Sequence, residues 1–171
     1  NKNVSLTSVI KPLSELAITK ILFNRYKELG KYRITCDSLD TSKESRWCQN
    51  CQTCCDSFLF MKAINFDPKI VGFKKDLFRK EYRKYYSLFN KNGLDKYKKI
   101  KEMKEQVLFA FYLAYKNKAK GYLIDEFKKK YLAEVKKRED EFYNKFLKIH
   151  DADIPKEIKN DVLSIYKEEL D

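Results

Sequence analysis

The sequence predicts a mainly α-helical protein: a helical domain with a four-cysteine metal knuckle and one or two short extended segments. Three observations carry that expectation. Only four Gly and three Pro occur in 171 residues, and since these residues most often interrupt helices, long helices with few tight turns follow. Apolar residues recur at three- and four-residue spacing over much of the chain, the period of a helix face. All five cysteines fall within the twenty positions from Cys36 to Cys55. A composition of 43% hydrophobic and 15% aromatic residues is enough apolar material for a core and excludes a disordered chain. The length fits one domain or two small lobes sharing a core. The expected division is a cysteine-rich metal-binding lobe, residues 1–73, and a basic helical lobe, residues 74–171, packed as one unit.

Val4, Leu6 and Val9 alternate with polar residues and predict a short extended segment. Pro12 suits the first turn of a helix; Leu13, Leu16, Ala17, Leu22, Tyr26 and Leu29 carry that helix over 12–29, and Gly30 stops it. Tyr32 to Cys36, with Ile34 and Thr35, is too short for a helix and predicts a second extended segment. Asp37 to Arg46 is a polar loop that brings Cys36 back to the later cysteines. Trp47 beside a cysteine either buries the loop against the core or offers a stacking platform to a base. From Cys55 onward, Phe58, Leu59, Phe60, Met61, Ala63 and Ile64 predict a buried helix. Asp67-Pro68 then has the form of an N-cap with proline at the first helical position, opening a short turn through Ile70 and Val71 to Gly72.

In the second half, the pattern predicts a helix over 76–89, with Leu77, Phe78, Tyr82, Tyr85, Leu88 and Phe89 inward and Arg79, Lys80, Arg83 and Lys84 outward. Asn92-Gly93 marks a turn. Residues 98–116 start charged and end almost continuously apolar, which predicts the most buried helix of this half. Gly121 precedes a helix over 122–137, with Leu123, Phe127, Tyr131 and Val135, whose pattern continues through Phe142, Phe146 and Ile149. Asp153-Ile154-Pro155 opens a last helix bearing Ile158, Val162, Ile165, Tyr166 and Leu170.

Cys48, Cys51 and Cys54 follow one another as C-x2-C-x2-C, a spacing that aims three thiolates at one point, and Cys36 supplies a fourth. A tetrahedral Zn²⁺ site takes four thiolates at about 2.3 Å. The same four residues suit a [4Fe-4S] cluster, and spacing does not separate the two. Cys55 is the odd one out, facing the core of the helix expected to begin there. Disulfides belong to secreted chains, and no secretory signal precedes the cysteines, so a reduced, cytoplasmic setting is expected. No apolar run reaches the roughly 20 residues that span a membrane.

Catalytic chemistry is sparse. His150 is the sole histidine, and its place near a helix end reads as surface. Neither a G-x-x-x-x-G-K-[ST] nor a G-x-G-x-x-G loop is present, so no phosphate loop of either kind exists. Glu102, Glu105, Asp125 and Glu126 interleave with lysines as surface ion pairs. The net charge of +12 is concentrated: Lys74 to Lys104 holds twelve Lys/Arg against four Asp/Glu. That stretch is a candidate nucleic-acid face, although lysine outnumbers arginine, and lysine makes no bidentate contact.

The run Thr-Ser-Val-Ile-Lys-Pro-Leu-Ser-Glu-Leu-Ala over 7–17, then Cys36 and Arg46-Trp47-Cys48-x2-Cys51-x2-Cys54 before an apolar helix, resembles the C-terminal part of PP-loop ATP-pyrophosphatase-type enzymes. Within these it is most similar to epimerases acting on the terminal glutamate of UDP-N-acetylmuramoyl-L-alanyl-L-glutamate, and more distantly to 7-cyano-7-deazaguanine synthases, whose C-terminal region carries a four-cysteine zinc site. The resemblance covers roughly residues 1–73. It implies a partner N-terminal domain whose Ser-Gly-Gly-x-Asp-Ser loop binds ATP and drives adenylation; this sequence holds no such loop, so ATP enters only with that domain. By the same resemblance Ser14 and Glu15 lie near the ligand-handling surface, and Glu105 matches an acidic position. The expected function is the metal-stapled, substrate-side domain of a carboxylate-adenylating enzyme, either a fragment that has lost its catalytic domain or a stand-alone relative. The alternative is a non-catalytic basic zinc module that binds nucleic acid, and a protein-interaction domain is the third.

Overall fold

A computed structural model of the chain describes residues 7–36, 46–90, 98–149 and 154–170, without the side chains of 98–100. The expectations placed on Val4, Leu6, most of the 37–46 loop, Asn92-Gly93, His150 and Asp153 lie outside the described residues. Within them are eight α-helices and no strand: α1 (Glu15–Arg25), α2 (Lys27–Gly30), α3 (Gln52–Ala63), α4 (Lys98–Lys116), α5 (Tyr122–Lys130), α6 (Leu132–Lys137), α7 (Glu139–Phe146) and α8 (Lys156–Leu170).

The centre is α4. Every residue from Val107 to Ala114 is buried, and a helix apolar on all sides must be covered on all sides. Its neighbours supply aromatic rings. Phe78, Tyr86, Phe89 and Phe127 surround Phe111 at centroid distances of 5.1–5.8 Å, and Phe142, Tyr143 and Phe146 surround Phe109 at 5.1–6.1 Å. Helix α3 packs along α4, and α1 packs on α8. The buried residues from both halves of the chain form one hydrophobic cluster.

The first predicted helix begins later than Pro12 and breaks before its end. Ser14 caps it, its Oγ accepting the Ala17 N–H at 3.0 Å, a stronger start signal than the preceding proline. Val9 and Pro12 lie in turns rather than in an extended segment, with Lys11 N bonded to Ser8 O and Leu13 N to Ile10 O. Tyr26 leaves helical geometry at φ −114°, ψ 46°. The chain then folds back until Gly30 lies against the Phe23 ring; a Cβ at Gly30 would sit 2.6 Å from Phe23 Cδ1. The expected extended segment at 32–36 finds no strand partner. Arg46 instead donates to the carbonyls of Lys31 and Arg33 at 2.7 and 3.1 Å, which satisfies those backbone groups with a side chain.

Residues 76–89 are not the single α-helix that their apolar spacing predicts. They form 3₁₀ turns at Lys80–Tyr85 and Ser87–Phe89, entered through an Asx turn in which Phe78 N donates to Asp76 Oδ1 at 2.9 Å. The cause is tertiary. Phe78 must reach both Phe58 and Phe111, Phe89 must reach Tyr131, and the fully buried Tyr86 donates its hydroxyl to Leu77 O at 3.2 Å. Packing of this kind overrides a weak helical preference. The predicted helix over 122–137 likewise divides at Tyr131, and its continuation divides again at Arg138. Each break turns the chain around α4.

Candidate metal centre

The knuckle is built from two segments. Residues 33–36 deliver Cys36, and 47–54 deliver the rest. Between Cys48 and Cys51 the backbone reverses through Gln49, in the left-handed region at φ 53°, a conformation most side chains avoid. Cys51 is extended and caps α3, its Sγ accepting the Cys54 N–H at 3.4 Å. The helix therefore starts at Gln52, before Cys55. Asn50 N donates to Cys48 Sγ at 3.4 Å, and the Gln49 backbone bonds the Cys54 thiol.

The structure brings together all four cysteines that the spacing singles out. The Sγ atoms of Cys36, Cys48, Cys51 and Cys54 lie within 4.8 Å of one another, and those of Cys48 and Cys54 are 3.6 Å apart. All five cysteines are free, so no disulfide explains the cluster. Cys36 and Cys54 are buried, and Cys48 and Cys51 half-buried. Burial pushes the Cys48 and Cys54 thiols up, and neighbouring thiols push Cys54 further. These two thiols hold their protons unless a cation balances the thiolates, and a divalent ion reverses that preference. Cys55 stands apart, fully buried among apolar residues, its thiol also raised by burial.

Trp47 is fully buried. Its Nε1–H donates to Val71 O at 2.8 Å, and its ring stacks on Phe73 with centroids 4.5 Å apart. That geometry closes the stacking-platform option, since neither ring face is open to a base, and leaves packing.

Sequence reasoning missed Gln49. It is 4% exposed, and its Oε1 accepts the N–H groups of Lys74 and Lys75 at 2.7 and 2.8 Å. One side chain therefore fastens the knuckle to the segment that follows Gly72. The only sequence signal is a long polar residue between Cys48 and Cys51, too weak to find it. Asp56, one turn into α3, is also unanticipated: its Oδ1 is buried without a hydrogen-bond partner. Burial pushes its carboxyl up to about 8, with the charge of Glu15 adding to the effect.

The remaining candidates are mostly engaged. Ser14 Oγ donates to Phe146 O at 2.6 Å. Glu15 pairs with Arg33 at 3.2 Å, Glu105 with Arg138 and Lys145, and Glu126 with Arg83 and Lys130. The Lys74–Lys104 stretch does not form one uniform basic face over its described residues: Arg83 forks onto Glu126, and Lys104 Nζ donates to Asn90 O at 3.1 Å.

Fold and site together define a helical protein with a compact four-cysteine cluster that could hold a metal ion. No family model, curated protein or solved structure matches the chain. Among the described residues no helix is long and apolar enough to cross a membrane.

Proposed function

We propose that Cys36, Cys48, Cys51 and Cys54 bind one Zn²⁺ as a closed structural site, and that the chain acts as the metal-stapled, substrate-side domain of a PP-loop-type, carboxylate-adenylating enzyme. The observation that carries the metal assignment is the 4.8 Å span of the four Sγ atoms. A zinc tetrahedron with Zn–S near 2.3 Å sets its sulfurs about 3.8 Å apart, close to the 3.6 Å between Cys48 and Cys54. A four-iron cube lodged between the same thiolates would hold them farther apart than this span. With four cysteine ligands no coordination position stays open, which fits a structural ion rather than a catalytic one.

The enzymatic half of the proposal rests on the order of motifs from Thr7 to Cys54. One feature of the fold supports it: Ser14 and Glu15 line a cleft of 580 Å³ with Gln106 and Lys145, large enough for a small carboxylate substrate. Elemental analysis should find one zinc per chain and a colourless protein; stoichiometric iron with visible absorbance would replace zinc by a cluster. Isolation of the chain with its native partners should recover a Ser-Gly-Gly-x-Asp-Ser protein and carboxylate-dependent exchange of pyrophosphate into ATP. Recovery of neither counts against the enzymatic reading.

Exposed Lys74, Lys75, Lys80 and Lys84 favour a second reading, a basic zinc module that binds nucleic acid. Titration with labelled RNA at two salt concentrations tests it, because phosphate contacts weaken steeply as salt rises. Binding indifferent to salt removes it.

A further inference from the structure

Six lysines from three separate segments surround one concave region beside the knuckle. Lys62 ends α3, Lys69, Lys74 and Lys75 lie on the segment after it, and Lys118 and Lys120 follow α4. They line two adjoining clefts of 180 and 440 Å³ that share Lys62, Lys69 and Lys120. No described carboxylate comes within ion-pair distance of any of the six. Elsewhere Arg25, Arg33, Arg83, Lys116, Lys130, Arg138 and Lys145 are all paired.

The plain explanation is that lysines gather at helix C-termini to offset the helix dipole. Two such ends, those of α3 and α4, border the clefts, and each carries about half a negative charge. Asp67 and Asp76 also line the region. Six lysines against two aspartates leave four positive charges, and the helix ends reduce that to about three. The excess is more than the dipoles require.

The walls are fixed without a ligand. Asn117 Nδ2 donates to Ala63 O at 2.7 Å and joins the ends of α3 and α4. Gln49 holds the backbone of Lys74 and Lys75. Of the rings in the wall, Phe58, Phe73 and Phe78 are buried, and the half-buried Phe66 already stacks on Phe23 with centroids 4.2 Å apart, a poor platform for the stacked bases of single-stranded nucleic acid. Lysine supplies compact point charges that suit phosphate oxygens.

We propose that this cleft binds a compact oligophosphate, two or three adjacent phosphate groups of a small molecule. Calorimetric titration of the intact, metal-loaded chain with inorganic tripolyphosphate should show saturable one-to-one binding. The double substitution K69E/K120E should lower the affinity at least tenfold. K128E/K129E, the same charge change on exposed residues of α5, should alter it less than twofold. All four positions are exposed, so circular dichroism and melting should match the parent. Absent saturable binding, or equal losses in both double variants, overturns the proposal. So does tight binding of a single-stranded oligonucleotide that tripolyphosphate fails to displace.

Discussion

Gln49 joins two structural tasks in one residue: it makes the left-handed reversal between Cys48 and Cys51, and its side chain receives two backbone donors of the next segment. Gln49→Ala leaves both donors short of a partner, and each such loss costs about 1–3 kcal/mol when buried. Urea unfolding should therefore show a loss within or above that range with the metal still bound. The cysteines divide more sharply. Cys48→Ser should reduce bound metal to well under one ion per chain, whereas Cys55→Ala, outside the cluster, should retain the full complement and lose only about 1–2 kcal/mol for the small cavity. Metal analysis of both variants distinguishes a four-ligand site from one that recruits the fifth thiol. At this scale the four cysteines that meet were legible because three of them are spaced three apart and the fourth lies twelve positions before them. Gln49 was not, because its partners lie 25 and 26 positions away.

Among the elements, the contact between Gly121 and Phe78 sets how α5 joins the segment before the 3₁₀ turns. Gly121 has φ 138°, and a Cβ there would stand 2.8 Å from Phe78 Cβ, while Leu123 N donates to Phe78 O at 2.9 Å. Gly121→Ala meets both a forbidden backbone region and a clash. A loss of about 2 kcal/mol or more is expected, read from the shift in the urea midpoint. The helical character of α3, α4 and α8 was readable from the apolar period alone. The 3₁₀ turns after Asp76 were not, because Phe78, Tyr82, Tyr86 and Phe89 repeat at spacings that an α-helix would also give. Which form results depends on the rings of Phe58, Phe111 and Tyr131, and nothing in the local run specifies those.

For the molecule as a whole, acid stability and metal stability are separable. Arg83, assisted by Lys130, holds the Glu126 carboxyl below its ordinary range. Burial raises Glu105, but Lys145 and Arg138 together outweigh it and leave that carboxyl lowered as well. A carboxyl depressed in the folded state adds stability that is fully present above its unfolded value of about 4.3 and disappears as pH falls through the folded value. Glu126→Gln should consequently flatten the loss of stability below about pH 4.5 relative to the parent, in denaturant melts across that window. Acid release of the metal is common to both proteins and cancels in the comparison. Removal of the ion by a strong chelator at neutral pH should lower the melting temperature by roughly 5–10 °C, the shift expected when a ligand at a hundredfold excess over its dissociation constant is lost. An unchanged melt would mean that the four thiols hold the fold without an ion.

The sequence by itself determined that the chain is helical and that four particular cysteines share one point, because the helical period and the C-x2-C-x2-C run are spacings of a few residues and Cys36 lies only twelve positions upstream. It did not determine where the long apolar runs bend, at Tyr26, Tyr131 and Arg138, or that Trp47 would be sealed against Phe73 and Val71. Nor could it gather Lys62, Lys69, Lys74, Lys75, Lys118 and Lys120 around one region, since these stand as much as 58 positions apart in the chain. Those features were decided by the tertiary structure, because each depends on which distant side chains come to lie against one another around α4.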